Sequence, residues 1–326
     1  MWDGILEILK EKAAQGVEVR VIYDGLGSII TMPKNYEKEL EKYGIQCRQF
    51  NKILPILSSF INHRDHRKII VVDGKIGFTG GINIADEYIN QYEKHGHWKD
   101  TAILLEGDAV WSLTVMFLTT WGFITETDEN FLLYQYLDSQ NHITDGLVQP
   151  YYDSPLDGEQ IGENVYLNMI SRATEYVYIQ TPYLVIDEQM LTALCNSAKQ
   201  GVDIRIVVPH IPDHWYAHAM TRSNYQILIE NGVKIYEYSP GFIHSKIFIC
   251  DDHLATIGTF NVDYRSLYLH FECGIFLYKA PVIEDMLKDF YHILKVSHRV
   301  SYEEVLQTPW YVKLGRGLIK IFAPLM

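Results

Sequence analysis

Four cysteines are spread over 326 residues, at positions 47, 195, 250 and 273, and no two of them form a CxxC pair. That spacing supports neither a zinc site nor a thioredoxin-like dithiol. Their apolar neighbours point to buried free thiols, which fits a reducing compartment. Basic residues are also scarce: 28 Lys and Arg stand against 41 Asp and Glu, a formal net charge of −13. A general nucleic-acid binder holds phosphate backbones with many cations, so the balance argues against that class while leaving room for a local basic pocket. Glycine (22) and proline (11) are not in excess, and no long disordered tract is indicated. Long apolar runs are missing too. The longest uncharged stretch, residues 109–125, has 17 residues and carries five Ser and Thr. A spanning helix needs about 20 mostly apolar residues, so a buried or interfacial helix is expected there. The first residues, WDGILEILKEKAAQG, read as an amphipathic segment rather than a signal peptide.

What is present is a repeat. Residues 12–21 read KAAQGVEVRV and residues 197–206 read SAKQGVDIRI, each a helix end, a glycine stop and an alternating strand. KYGIQCRQF at 42–50 matches ENGVKIYEY at 230–238, and HRKIIVVDGKIGFTGGIN at 66–83 matches HSKIFICDDHLATIGTFN at 244–261. Three elements recurring in one order indicate a duplicated α/β unit. The expected fold class is α/β, with two repeated α/β/α units related by a pseudo-two-fold and the active site between them. The first unit is assigned to residues 1–125 and the second to 164–298. Residues 121–163 hold nine acidic residues and no Lys or Arg, so 126–163 reads as a solvated acidic linker; 299–326 is a tail. In the second unit a strand-like segment, EYVYIQTPYL at 175–184, precedes the helix that matches residues 3–15. The first unit begins at that helix. The expectation is that the first unit lacks one strand, that a groove opens beside helix 3–15, and that the sequence is a fragment of a longer, membrane-anchored protein.

Each unit contains the pattern H-x-K-x4-D-x6-G-x-x-N: His66, Lys68, Asp73, Gly80 and Asn83, then His244, Lys246, Asp251, Gly258 and Asn261. One chance copy in a chain this long has a probability on the order of 10⁻⁴. Residues two apart in an extended segment share a face, so each His–Lys pair points one way. The runs IIVV and IFIC that follow read as core strands, and each glycine permits a close approach that lets the following Asn reach the site. Two such units about a two-fold place two His, two Lys and two Asn around one hole. A neutral imidazole is a nucleophile for phosphorus, and a second can protonate a leaving alkoxide and then deprotonate an incoming hydroxyl. Lys ammonium and Asn amide groups can hold the nonbridging oxygens as charge moves. With two fixed cations the chemistry requires no metal and no cofactor. Asp73 and Asp251 are counted with the catalytic motif, although each closes a strand before a turn, where a structural role is equally open.

On these residues the chain resembles the phospholipase D superfamily, whose HKD motif is this pattern. GGINIADEY, HWKDTAILLEG, IQTPY, PDH and GTFNVDYRSLYLHFE extend the resemblance to bacterial cardiolipin synthases over nearly the whole chain. It implies a phospholipase D fold and a phosphatidyltransferase that makes cardiolipin and glycerol from two phosphatidylglycerol molecules through a phosphohistidine. It implies His66 as nucleophile and His244 as acid and base, an order that the symmetric motifs leave open. It also implies a carboxylate downstream of each motif that orients a histidine, and Asp100 and Glu272, each opening a strand, hold the matching places. The implied partners are anionic phospholipid and a membrane surface, at the cytoplasmic face of a bacterial cell membrane, with no nucleic acid. Family members usually carry two N-terminal membrane helices and a first strand, which these 326 residues do not include.

Other features are weaker. His63 and Arg64 before the first motif, and Arg265 and Ser266 in the second unit, are candidates to widen an anionic pocket. His210, His214 and His218 are four apart, but Pro212 interrupts them and no Cys or acidic set converges, so no metal site is read there. From residue 310 the tail reads WYVKLGRGLIKIFAPLM, with Lys313, Arg316 and Lys320 and no acidic residue. Such a cationic amphipathic tail is either an interfacial anchor or a helix packed on the core. Two other functions compete with transfer. One is hydrolysis of phospholipid or, against the acidic charge, of nucleic acid. The other is an inactive membrane-associated scaffold, which intact His and Lys in both motifs disfavour.

Overall fold

A computed structural model describes residues 1–29, 31–51, 62–136 and 146–321, so residues 137–145 of the linker and 322–326 of the tail lie outside the described residues. The first half runs α1 (Trp2–Ala14), β1 (Val19–Asp24), α2 (Tyr36–Glu41), β2 (Ile45–Phe50), β3 (Arg64–Asp65), β4 (Ile69–Val72), β5 (Ile76–Gly80), β6 (His97–Lys99), β7 (Ala102–Glu106) and α3 (Val110–Thr125). The second runs β8 (Leu147–Asp153), α4 (Ile161–Arg172), β9 (Tyr176–Gln180), β10 (Leu184–Val185), α5 (Glu188–Lys199), β11 (Asp203–Pro209), α6 (Trp215–Ser223), α7 (Tyr225–Glu230), β12 (Lys234–Tyr238) and β13 (Gly241–Ile243). It continues through β14 (Ile247–Cys250), β15 (Leu254–Gly258), β16 (Val262–Asp263), α8 (Tyr264–Tyr268), β17 (His270–Tyr278), α9 (Val282–Lys295), β18 (Ser297–Arg299), α10 (Tyr302–Leu306) and α11 (Trp310–Lys320). The fold is α/β, and its halves share local rules. Gly16 at φ 87° and Gly201 at φ 101° end α1 and α5 in the left-handed region, where a Cβ is disfavoured, and so turn the chain into β1 and β11.

In the second half seven strands join one sheet in the order β18-β12-β11-β9-β14-β15-β17, and β3 and β8 also pair with β17, while β10 pairs with β16 and β13 with β6. β9, β11 and β12 run parallel, and β14, β15 and β17 are antiparallel neighbours. The matching strands of the first half form two separate sheets, parallel β1-β2 and antiparallel β4-β5-β7. β9 sits between β11 and β14, whereas among the described residues no strand sits between β1 and β4.

Two large cores flank the main sheet, and one of them joins the halves. One is built by α4, α5 and α7 against one face of the large sheet, and there Tyr166 stacks on Phe248 at 3.9 Å. The other is shared: Ile103, Leu105, Val110, Leu113 and Met116 of the first half pack with Ile247, Ile257, Ile275 and Phe290 of the second. The uncharged stretch at 109–125 is therefore a core helix, α3, and none of the described helices is long and apolar enough to cross a membrane. All four cysteines are buried free thiols.

The stretch read as an acidic linker holds more than a connector. Within it β8 pairs antiparallel with β17 from Leu147–Tyr278 to Asp153–Glu272. Because β8 pairs with β17 alone, it tolerates Pro150 at an edge, and that proline is what made it look like loop. Two of its acids are buried and bonded: Asp153 accepts from the Gly162 N–H at 2.8 Å, and Glu163 accepts from the Tyr268 hydroxyl at 2.9 Å.

Candidate active site

Each motif is reached by a short strand that pairs with the opposite half. β3 runs parallel to the start of β17, with Arg64 opposite His270 and Asp65 opposite Phe271. β13 runs parallel to β6, with Phe242 opposite Trp98 and Ile243 opposite Lys99. Both exchanges end in the same hydrogen bond. The His66 N–H donates to the Phe271 carbonyl at 3.0 Å, and the His244 N–H donates to the Lys99 carbonyl at 2.7 Å. The next residue on each receiving strand is the carboxylate. His66 Nδ1 thus lies 2.8 and 2.9 Å from the two oxygens of Glu272, and His244 Nδ1 lies 2.7 Å from Asp100 Oδ2. Each half orients the other half's histidine.

The carboxylates are held in turn. Glu272 is fully buried and accepts from the hydroxyls of Thr259 and Ser266, and Asp100 accepts from the Thr101 N–H at 2.8 Å. The motif glycines make this possible. A Cβ on Gly258 would lie 2.4 Å from the Cys273 carbonyl, and one on Gly80 would lie 2.3 Å from the Thr101 carbonyl, each the residue after a carboxylate. Only glycine lets β5 and β15 press so closely on β7 and β17.

Burial sets the charge states. It pushes His66 down to about 3, helped by Lys68 and opposed by Glu272. It pushes His244 down to about 4, helped by Lys246. Burial alone would raise the Glu272 and Asp100 carboxyls, but His66 and His244 respectively hold them below their usual range. The resting state is a neutral imidazole whose Nδ1–H faces a carboxylate, which leaves the Nε2 lone pair for chemistry. Burial also lowers Lys68 to about 8 and Lys246 to about 7. Lys68 is among the charges that lower both Lys246 and His244, as expected of two halves facing one space.

The His–Lys pairs lie in the extended links before β4 and β14 rather than within those strands. Lys68 Nζ donates to the His66 carbonyl at 2.5 Å, and Lys246 Nζ donates to that of His244. Asn83 Nδ2 donates to the Tyr88 hydroxyl at 2.6 Å, and the Tyr88 ring stands edge-on to His244 at 5.4 Å. The Asn261 N–H donates to Ser266 Oγ, which supports Glu272, and its Oδ1 is buried without a partner. Each asparagine bonds within its own half, to a residue that in turn adjoins the opposite histidine or its carboxylate.

Asp73 and Asp251 stand apart from this set, and their surroundings favour the structural role that the sequence left open. A four-residue strand, roughly 13 Å long, separates each from its histidine. At φ 53° and 50°, followed by Gly74 at 65° and Asp252 at 58°, they form the tight turns from β4 to β5 and from β14 to β15. Asp251 also accepts from the N–H groups of Thr174, Glu175 and Tyr176 and so anchors the start of β9. Asp73 is exposed. The Asp-Gly pair after an apolar run was itself a hairpin signal.

Two residues that the sequence reading missed flank the histidines. Trp98 lies 5.3 Å from the His244 ring, and His270 lies 5.6 Å from the His66 ring. The Trp98 Nε1–H is buried without a hydrogen-bond partner, and His270 Nδ1 lies 3.7 Å from Glu272 Oε1. Each sits two residues before a carboxylate, so strand periodicity alone placed it on the carboxylate's face. His66, His270 and Glu272 also bring donor atoms within 4.8 Å of one another, a set that could hold a metal, although binding there would occupy the imidazole that phosphorus chemistry needs. Of the weaker candidates, Arg64 is committed to Asp24 at 2.8 Å and Ser266 supports Glu272. His210 pairs with Glu237 at 2.9 Å, on a carboxylate that also holds Arg222.

The sequence matches the family described as "Cardiolipin synthase, PLD-like domain" over residues 3–103 and 166–294, and the chain belongs to that phospholipase D-like family. It is 47% identical over its full length to an uncharacterised protein of Streptococcus mutans and spans 70% of that protein. It is 38% identical over 325 residues to a cardiolipin synthase of Halalkalibacterium halodurans, covering 99% of this chain and 64% of that one. A cardiolipin synthase of a Geobacillus species is 40% identical over 322 residues, with 98% and 64% covered. The chain thus spans just under two thirds of the length of these two synthases. A crystal structure of phosphatidylserine synthase from Haemophilus influenzae superposes with a TM-score of 0.69 over 99% of this chain and 84% of that one, at 17% identity, a likeness of fold.

Proposed function

We propose that the chain is a phosphatidyltransferase that makes cardiolipin and glycerol from two phosphatidylglycerol molecules, at the cytoplasmic face of a bacterial cell membrane. The observation that carries this reading is the crossed pair of dyads, His66–Glu272 and His244–Asp100, with a lysine beside each histidine. The cardiolipin synthases among its relatives supply the substrate class. His66 Nε2 attacks phosphorus, the bond to one glycerol oxygen breaks, and His244 gives that oxygen its proton; His244 takes up this Nε2 proton when the phosphate anion enters, since that charge beside Asp100 favours the imidazolium. The phosphatidyl group stays on His66. A hydroxyl of a second phosphatidylglycerol then passes its proton to His244 and attacks phosphorus, and His66 leaves. Glu272 and Asp100 hold Nδ1–H in place and stabilise each imidazolium as it forms. Lys68 and Lys246 hold the nonbridging oxygens, and the phosphate charge raises their pKa values in return.

The test is incubation with phosphatidylglycerol in mixed micelles, with products identified by mass. Cardiolipin with free glycerol is expected. Phosphatidic acid as sole product would make water the acceptor and the chain a hydrolase, and no turnover would overturn phosphatidyl transfer. In His244→Ala both formation and breakdown of the phosphatidyl adduct should slow, since the residue is acid in one step and base in the other.

A further inference from the structure

Helix α11 lies with its apolar stripe turned outward. Trp310, Tyr311, Leu314, Leu318 and Ile321 are each between 55% and 75% exposed. Val312, Lys313, Arg316, Ile319 and Lys320 are partly buried. Positions 310, 314, 318 and 321 follow helical spacing, so the exposed side chains form one stripe. The inward face packs on α6: Ile319 joins Tyr183, Tyr216 and Tyr264 around Val185 and Met220. Lys313 Nζ donates to Gln226 Oε1 at 3.2 Å, and Lys320 Nζ donates to Asn224 Oδ1 at 3.0 Å. A surface helix ordinarily buries its apolar stripe and exposes its charges. Here the order is reversed, and the reversal corrects the simple picture of a tail that reaches a membrane with its cations.

We propose that the outward face of α11, together with the exposed Trp215 of α6, docks on an anionic phospholipid bilayer. The choice of lipid rests on the phosphatidyltransferase reading. Charge agrees with it. α11 carries three cations and no acid on a chain of net charge −13, so although Lys313, Arg316 and Lys320 lie on its partly buried side, the helix is a local positive element that favours an anionic surface over a neutral one. Chemistry agrees too, since Trp310 and Tyr311 at one end of the stripe are the side chains that favour a bilayer–water interface. Position agrees as well. Tyr183, in the cluster that receives Ile319, lies 6.4 Å from the Phe242 ring, and Phe242 lies 6.0 Å from His244. Packed rings thus connect the residues beneath α11 to the acid–base histidine.

The test uses the 326-residue chain and flotation with vesicles of phosphatidylcholine, with and without phosphatidylglycerol. Leu314→Glu with Leu318→Glu should weaken binding to anionic vesicles by about tenfold or more, because two apolar side chains lose their burial. Trp310→Ser with Tyr311→Ser should act the same way. Turnover of monomeric short-chain phosphatidylglycerol and the sedimentation mass should stay as in the unaltered chain. Unchanged vesicle binding would overturn the proposal, as would an equal loss on the monomeric lipid. A variant that turns a dimer into a monomer would make the stripe an interface between copies and overturn it as well. If the chain binds vesicles through this face yet turns over neither form of lipid, the proposed function fails and the docking face stands.

Discussion

β4 and β14 carry the same motif on similar apolar residues, IIVV and IFIC, in different surroundings. β14 lies between β9 and β15, with helices over both faces, and Phe248 and Cys250 are each 1% exposed. β4 pairs with β5, and its outward residues Ile70 and Val72 are 52% and 48% exposed. The turns at their ends differ in the same sense: Asp251 anchors β9 while Asp73 faces solvent. At the other end the halves converge, and the links His66–Lys68 and His244–Lys246 make the same contacts. The site is therefore insensitive to what covers the strand behind it. The crossed pairings of β3 with β17 and β6 with β13 tie each motif to the opposite half instead. What differs at the site is the setting. The His66 side chain is 22% exposed beside His270, and that of His244 is 7% exposed among Tyr88, Trp98 and Phe242.

The largest effects should come from breaking the crossed pairs. His66→Ala or His244→Ala should lower turnover by about 10⁴-fold or more, and combining either with loss of its carboxylate should add little, because the groups act as a unit. Glu272→Gln and Asp100→Asn should each cost about 10²–10⁴-fold, since a wrong tautomer or ring pose defeats an imidazole. Single-turnover measurements would sharpen the comparison: Glu272→Gln should slow formation of the phosphohistidine, and Asp100→Asn should slow the acid–base steps. A swap of those two effects would mean that the order of the histidines is reversed.

Stability should separate the halves next. Phe248→Ala should cost about 3–5 kcal/mol as a large core truncation. Ile70→Ala, at the matching position of β4, should stay within about 0.5 kcal/mol. Urea unfolding would measure both, and equal costs would erase the distinction between covered and uncovered sheet.

Lys246 offers a smaller effect of opposite sign. Its pKa in the folded chain, about 7, lies below the ordinary 10.5. Between those values the folded chain binds fewer protons than the unfolded one, so stability rises with pH across that window. The penalty is whole below about pH 7 and fades toward 10.5. Lys246→Met should therefore abolish turnover yet raise the melting temperature at pH 7, with the gain shrinking as pH approaches 10. A gain that grew with pH would contradict the burial of this ammonium.

The smallest effects should fall on the flanking rings. Trp98→Phe keeps the packing against His244 and removes the unpartnered N–H, whereas His270→Phe keeps the ring beside His66 but also removes the Nδ1 that lies 3.7 Å from Glu272. If these nitrogens meet lipid oxygens, KM should rise by a few fold, about what one hydrogen bond is worth. Excess EDTA should leave all rates unchanged. Loss restored by a divalent ion would assign His66, His270 and Glu272 to a metal instead.

The repeat, its motif residues and its helix stops were legible in the sequence because each depends on residues close along the chain. The places of Asp100 and Glu272 were legible from position. For Asp73 and Asp251 motif membership and turn chemistry pointed different ways at the same residues, and the structure shows them in turns. β8 was hidden by Pro150 and by acidic neighbours, and its existence depends on β17, more than a hundred residues further on. Sequence by itself determined which side chains share a face: His with Lys, Trp98 with Asp100, His270 with Glu272, and the stripe on α11. Only the tertiary structure decided what each face meets. It crossed the carboxylates between halves, buried one motif strand and left its twin half open, and turned the basic side of α11 inward. The physical reason is that periodicity is a property of a single backbone, whereas register and orientation are chosen by the competing surfaces that the rest of the chain brings to it.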